Sequence, residues 1–325
     1  MAYTKEEFKQ LVDDIQSQSW YKNPVGFGIA RVDRGQINKD KILQATFPLI
    51  NWNENFGSAA VLLNALKVAG ENLDTSKSEL VCKISDAFLT SCIEAFRPFI
   101  PEAKGDAHKN VQVISTLASL PIDSGLTAED YRVVFIFEDA APESTEAVYL
   151  KLYALSTGKA ALRSLNLNGA FGKLHNCAWV GNQPIELDWL RANEIVLKLS
   201  GKYPNIDFVD KFPRLLQHVI LADNTRILDS GKVRMGAQLA AGTTVMPGAA
   251  YINFNAGTLG SVMVEGRISS SAVVGAGSDV GGGASILGVL SGTDGVPVTI
   301  GENTLLGANS CTGTTIGDGC ILDAG

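Results

Sequence analysis

The feature that most constrains this chain is a period of six. From residue 231 onward an aliphatic or aromatic side chain returns at every sixth position, with Val233, Leu239, Val245 and Tyr251 in one register. A one-residue deletion precedes Val262, Ile268, Val274, Val280 and Ile286. Beyond a loop around "SGTDGVPV" come Ile300 and Leu306, and after another slip Ile316 and Leu322. The fifth position of these units is small: Ala237, Thr243, Ala249, Gly266, Ala272, Ser278, Ala284, Thr304 and Ser310. Such a period cannot keep one face of an α-helix apolar, and the strict alternation of a half-buried strand is absent. A flexible linker would not hold Val and Ile at fixed sixth positions. The pattern fits a hexapeptide β-helix, in which each unit forms one short strand and a turn and points its aliphatic residue into the stack. One coil buries its flat face only against the next, so several coils are needed for stability. "GAGSDVGGG" is not GxGxxG and lacks a following Lys-Ser/Thr, so no phosphate loop is read there.

Glycine is sparse before residue 220 and dense after 231, and charge thins at the same point. We expect residues 1–225 to form an α/β N-terminal domain, with a subdomain break near 105–110. Residues 226–325 form the β-helix domain, which ends in the middle of a repeat unit. An open coil edge at Gly325 calls for a cap, so the expectation is a truncated chain or a cap supplied from elsewhere. In the first part, residues 4–17 have helical spacing behind a Thr4 cap with Glu7 three residues on. "GFGIARVD" predicts a strand, and "SAAVLLNAL" and "SELVCKISDAFLTSCIEAF" predict helices, the second stopped by Pro98. "NVQVISTLASL" and "YRVVFIFED" predict strands from their β-branched and aromatic content. "ESTEAVYLKLYALSTG" predicts a helix, and "AWVGNQPIELDWL" a short strand followed by a helix start.

With 27 basic and 34 acidic residues the net charge is -7, which argues against nucleic acid or an anionic membrane as the main partner. The N-terminus "MAYTKEEFKQ" lacks the apolar core of a signal peptide. No apolar run approaches the roughly 18 residues of a membrane span. The five cysteines are scattered without a CxxC pair, which excludes a disulfide framework or zinc site as the organising element. These traits predict a cytoplasmic protein.

Hexapeptide β-helices often serve as acyl-CoA transferases, many with a histidine base. Here His108, His175 and His218 all lie upstream of the coils, so imidazole acts only if His218 folds back onto them. A carboxylate must otherwise replace imidazole. The candidates are Asp229, Glu265, Asp279, Asp294, Glu302, Asp318 and Asp323. Glu302 and Asp318 follow Ile-Gly at turn corners and Asp294 sits in the "SGTDG" loop, so solvated surface is the reading for these three. Asp279 can bond neighbouring backbone amides. Glu265 differs: it stands in "SVMVEGRIS" behind apolar residues, and Gly266 leaves room for a ligand. Arg267 can clamp a carboxylate in bidentate fashion. The alternative reading of the pair is a structural Glu–Arg contact on the coil surface. The alternatives for the whole chain are a noncatalytic β-helix scaffold and an acyltransferase with another donor or acceptor.

"NFNAGTLG", "MVEGRIS", "GSDVGGGASILG" and "LLGANS" together resemble the tetrahydrodipicolinate N-succinyltransferase family, and more narrowly its actinobacterial and partly Gram-negative branch. The likeness is close over 231–325 and general over 1–225. It implies a left-handed parallel β-helix, an exception to the right-handed crossover rule, and a homotrimer. It implies transfer of succinyl from succinyl-CoA, as co-substrate, to the nitrogen of ring-opened tetrahydrodipicolinate, a dicarboxylate of the diaminopimelate and lysine pathway. Glu265 matches the family's catalytic glutamate, described either as acyl-anhydride nucleophile or as general base. Arg267, Gly282, Ser285, Ala308, Asp323 and Ala324 match succinyl-CoA contacts. Some relatives carry an acidic residue before "NFNAG" near a metal on the trimer axis; "MPGAAYINFNAG" has none, so no divalent metal is expected.

Overall fold

A computed structural model describes residues 4–120, 127–289 and 295–325. It divides into two compact units, Met1–Leu150 with Asn166–Ala178 and Gln183–Asn205, and Lys151–Leu165 with Trp179–Asn182 and Ile206–Gly325.

In the first unit, α1 (Lys5–Gln16) starts with the capping box its sequence predicts: Thr4 Oγ1 accepts from Glu7 N, and Glu7 Oε2 accepts from Thr4 N. Strands β1 (Gly26–Arg34), β2 (Ile42–Thr46) and β3 (Ile50–Trp52) are followed by α2 (Phe56–Val68), β4 (Glu79–Lys83), α3 (Asp86–Phe96), α4 (Lys109–Ala118) and β5 (Tyr131–Ile136). The five strands form one antiparallel sheet ordered β2-β1-β5-β4, with β3 also on β1. Its core joins Phe27, Ile29, Val133 and Phe135 of the sheet to Leu62 and Leu66 of α2, Phe88 and Phe96 of α3, and Val111 and Ile114 of α4. Each such fully buried side chain contributes about 2 kcal/mol of transfer free energy.

Two sequence expectations fail here. The run "SELVCKISDAFLTSCIEAF" is not one helix. Its first part is β4, paired to β5 through Leu80↔Phe135 and Cys82↔Val133. Ser85 then caps α3, its Oγ accepting from Phe88 N at 3.2 Å. "NVQVISTLASL" is a helix rather than a strand: Val111 and Ile114, three apart, are the buried residues of α4 and face the core. The β-branched content of that segment is overridden by burial of one helical face.

A second feature fixes the β1–β2 connection. Glu186, 1 % exposed, accepts from Asn38 Nδ2 at 2.6 Å and from the backbone N–H groups of Ile37 and Asn38, with Lys41 Nζ at 3.5 Å. Burial alone would raise this carboxyl, but the hydrogen bonds from Asn38 and Ile37 and the Lys41 charge outweigh it and hold it down at about 2.

The second unit is a left-handed parallel β-helix with hexapeptide repeats. Its two-residue strands stack into three parallel sheets, one per face. The first face carries Thr244–Val245, Met263–Val264, Asp279–Val280, Leu305–Leu306 and Ile321–Leu322. The second carries Tyr251–Ile252, Arg267–Ile268, Ser285–Ile286 and Cys311–Thr312. The third carries Gly257–Thr258, Val273–Val274 and Thr299–Ile300. Val245, Ile252, Val264, Ile268, Val274, Val280, Ile286 and Ile300 fill the interior.

The register differs from the sequence expectation over one coil. Ile252, not Tyr251, points inward, and Ala250 rather than Ala249 takes the small position. Val264 is the strand residue in line with Val245, while Val262 fills a small position. The chain therefore gains a residue between Val245 and Ile252 and loses two between Val264 and Ile268.

Candidate active site

The two-residue loss falls at Glu265. Inward residues are six apart from Val274 to Val280 and from Val280 to Ile286, but only four apart from Val264 to Ile268. The corner between the first and second faces is thus shortest at Glu265-Gly266. Both N–H groups of this corner donate to the Val280 carbonyl, at 2.8 and 3.1 Å. Gly266 is buried, and a Cβ there would overlap the Ala284 carbonyl oxygen and stand 2.7 Å from that of Gly281. Only glycine allows the backbones of successive coils to approach this closely. Glu265 is half-buried.

The same corner of each later coil is built from small residues, and they stack in line. Gly282 lies next to Glu265, a Cβ built on it standing 3.6 Å from Glu265 Oε2. Asn309 N donates to the Gly282 carbonyl at 3.0 Å, which seats Ala308 below Gly282. Gly325 N donates to the Ala308 carbonyl at 3.0 Å, and Gly307 packs against the backbone of Asp323 and Ala324. Ala308, Asp323 and Ala324 are exposed. Glu265, Gly282, Ala308, Asp323 and Ala324 thus form a ladder parallel to the helix axis, with one carboxylate at its upper end.

Arg267 and Ser285 occupy matching positions on neighbouring strands of the second face. Arg267 Nε and Nη2 both donate to Ser285 Oγ, at 2.9 and 2.5 Å. Arg267 is otherwise exposed, so its guanidinium is oriented but not consumed. All seven residues expected from the sequence therefore lie on one corner or on the row of outward residues beside it.

The other carboxylates of the coils are elsewhere. Asp229 accepts from Gly231 N two residues on, and Asp318 accepts from Glu302 N of the preceding coil. Asp279 and Glu302 are exposed. Asp294 lies outside the described residues. His218 Nδ1 lies 2.7 Å from Tyr153 Oη, a contact with the segment preceding the coils. Among the described residues no group of three or more His, Cys, Asp or Glu side chains could hold a metal ion.

Two arrangements escaped the sequence reading. Arg163 straps the corner between the second and third faces: its Nε donates to Ser271 O, its Nη1 to Thr299 Oγ1 and its Nη2 to Val298 O. Asp210, 9 % exposed, receives Arg234 Nε and Nη2 at 2.9 and 3.0 Å and Arg214 Nη1 at 2.7 Å. Sequence distance concealed both, since neither set shows a motif spacing.

Family models match three stretches of the chain: the N-terminal part of tetrahydrodipicolinate N-succinyltransferase over residues 6–172, its middle part over 174–214, and the hexapeptide repeat of succinyl-transferase over 297–325. A 2,3,4,5-tetrahydropyridine-2,6-dicarboxylate N-succinyltransferase of Nitratiruptor sp. is 68% identical over 325 residues, covering 100% of this chain and 82% of the relative. The protein so described from Sulfurovum sp. is 69% identical over 320 residues, covering 98% and 80%. A solved Campylobacter jejuni structure, described as that of a 2,3,4,5-tetrahydropyridine-2-carboxylate N-succinyltransferase, matches with a TM-score of 0.94 and 56% identity, covering 100% of this chain and 83% of that one.

Proposed function

The chain belongs to the tetrahydrodipicolinate N-succinyltransferase family, and on that premise we propose how its residues carry the reaction. The protein is an acyltransferase of diaminopimelate and lysine biosynthesis that moves succinyl to the acceptor amine. Succinyl-CoA is the donor. Its thioester sits at Glu265, and its pantetheine arm runs down the corner past Gly282, Ala308 and Ala324. Arg267, held by Ser285, takes the succinyl carboxylate. Asp323 contacts the arm at the lower end.

The observation that carries this reading is the ladder itself. Small residues expose backbone groups along an extended path, which suits a thin arm with amide donors and acceptors. Of the two carboxylates on that path, Glu265 stands at the upper end, on the half-buried shortened corner, while Asp323 is exposed at the lower end. In the transfer the amine nitrogen attacks the thioester carbon, the C–N bond forms and the C–S bond breaks. Glu265 takes the amine proton, and the sulfur leaves as thiolate to be protonated. If Glu265 instead attacks first, an acyl anhydride forms, thiolate leaves, and the amine then displaces the carboxylate. One carboxylate at this place serves either route.

The working unit is a homotrimer in the cytoplasm, with a neighbouring copy covering the open corner; the match to the hexapeptide repeat of succinyl-transferase supports this. Among the described residues no helix is long and apolar enough to cross a membrane.

Glu265→Gln tests the assignment. It keeps the shape of the side chain and should lose at least ~100-fold in CoA release with tetrahydrodipicolinate as acceptor, with an unchanged circular dichroism spectrum. Near-normal turnover would remove Glu265 from the reaction. Intact mass after mixing the wild type with succinyl-CoA alone separates the two routes, since only the anhydride route leaves a succinyl adduct.

A further inference from the structure

The residues placed on the donor all lie at or after Glu265 along the stack: Arg267 on its coil, Gly282 and Ser285 on the next, and Ala308, Asp323 and Ala324 beyond. The acceptor amine must reach the thioester carbon from a side the sulfur arm does not fill. The free side is the preceding coil.

That coil places Tyr251 beside the reacting corner. Tyr251 N donates to the Gly266 carbonyl at 3.2 Å, and Tyr251 pairs in register with Arg267. Tyr251 is half-buried, and its hydroxyl makes no hydrogen bond with the described residues. Arg234 reaches it from the coil above, its guanidinium carbon 6.0 Å from the ring centroid. Arg234 and Arg214 share the single carboxylate of Asp210, so among the described residues one positive charge in this cluster has no ion-pair partner of its own. Asp210 already accepts four N–H groups, from Arg214, both sides of the Arg234 fork and Lys211 N. Arg234 also donates to Asn253 Oδ1, while Arg214 stacks on Phe208. Burial raises the Tyr251 phenol, opposed by the Arg234 and Arg214 charges. The hydroxyl therefore stays protonated as a donor near neutral pH, in a field that favours an anion in front of it.

We infer that Tyr251 is the acceptor-side contact: its hydroxyl, backed by Arg214 and Arg234, receives one carboxylate of the dicarboxylate acceptor across the corner from the thioester arm. The inference rests on the placement of succinyl-CoA proposed above and extends it to the second substrate. A neutral donor in front of a part-buried ion-pair cluster selects for a carboxylate without trapping it as a second salt bridge would.

The test is Tyr251→Phe, which keeps the ring and removes only the hydroxyl. Initial rates of CoA release are measured with tetrahydrodipicolinate and succinyl-CoA varied in turn. The KM for tetrahydrodipicolinate should rise about 10-fold, while the KM for succinyl-CoA and the melting temperature stay at wild-type values. An unchanged acceptor KM overturns the assignment. An equal rise in both KM values does so too, since it marks general loss of order at the corner. Absence of succinyl transfer by the wild type is a separate result: it overturns the proposed function, and this inference with it.

Discussion

Gly282 lies against Glu265 across adjacent coils, close enough that a Cβ on the glycine would stand 3.6 Å from the carboxylate oxygen Oε2. That distance is ordinary van der Waals contact, and Gly282 does not use the left-handed backbone region that Gly283 does at φ +75°. Gly282→Ala should therefore fold normally, with unfolding free energy within about 0.5 kcal/mol of wild type. Its methyl group would stand on the path proposed above for the pantetheine arm. The expected outcome is a rise of roughly 10-fold in the KM for succinyl-CoA with little change in that for the acceptor. Steady-state kinetics check this, and a wild-type KM for succinyl-CoA would place the arm elsewhere.

Gly266 is the opposite case. It also lies on the corner that carries Glu265, but its neighbours are backbone carbonyls of the next coil rather than open space. Two residues are missing from this turn relative to its neighbours, so the chain cannot relax outward. Gly266→Ala should cost about 2–4 kcal/mol through overpacking. Urea unfolding followed by circular dichroism should show a lower midpoint; an unchanged midpoint would mean that the corner can give way.

How much of this was legible in the sequence depends on the range of the signal. The six-residue period is local and repeated, so the β-helix and its small corner positions could be read directly. Glu265, Arg267 and Gly282 could be named because the motif around each is contiguous. The one-residue register error at Tyr251 arose because an aromatic residue beside Ile252 mimics an inward position. Only the stacking partner, Arg267 below Tyr251, identifies it as outward. In the first unit α4 misled for a related reason: Val111, Val113 and Ile114 favour strand by type, while the burial of Val111 and Ile114 follows helical spacing. The Asp210–Arg234 pair and the Arg163 strap join residues far apart in the chain, and nothing in their local sequence marks them.

Glu186 offers a pH test of the first unit. Its carboxyl is held down at about 2 from an ordinary value of 4.5, chiefly against burial, by the bonds from Asn38 and Ile37 and by Lys41. The folded state thus prefers the ionised form, and the unfolded chain binds the proton more readily. This contribution is fully present above about pH 5, and is lost as pH falls from there toward 2. A shift of this size corresponds to about 3 kcal/mol at neutral pH. Glu186→Gln should lower stability at pH 7, because the Lys41 and backbone donors lose their charged acceptor, and the loss should shrink as the pH approaches 3. Thermal unfolding of wild type and variant across pH 3 to 7 measures the difference. A gap between the two that stays constant over this range would show that ionised Glu186 does not stabilise the β1–β2 connection.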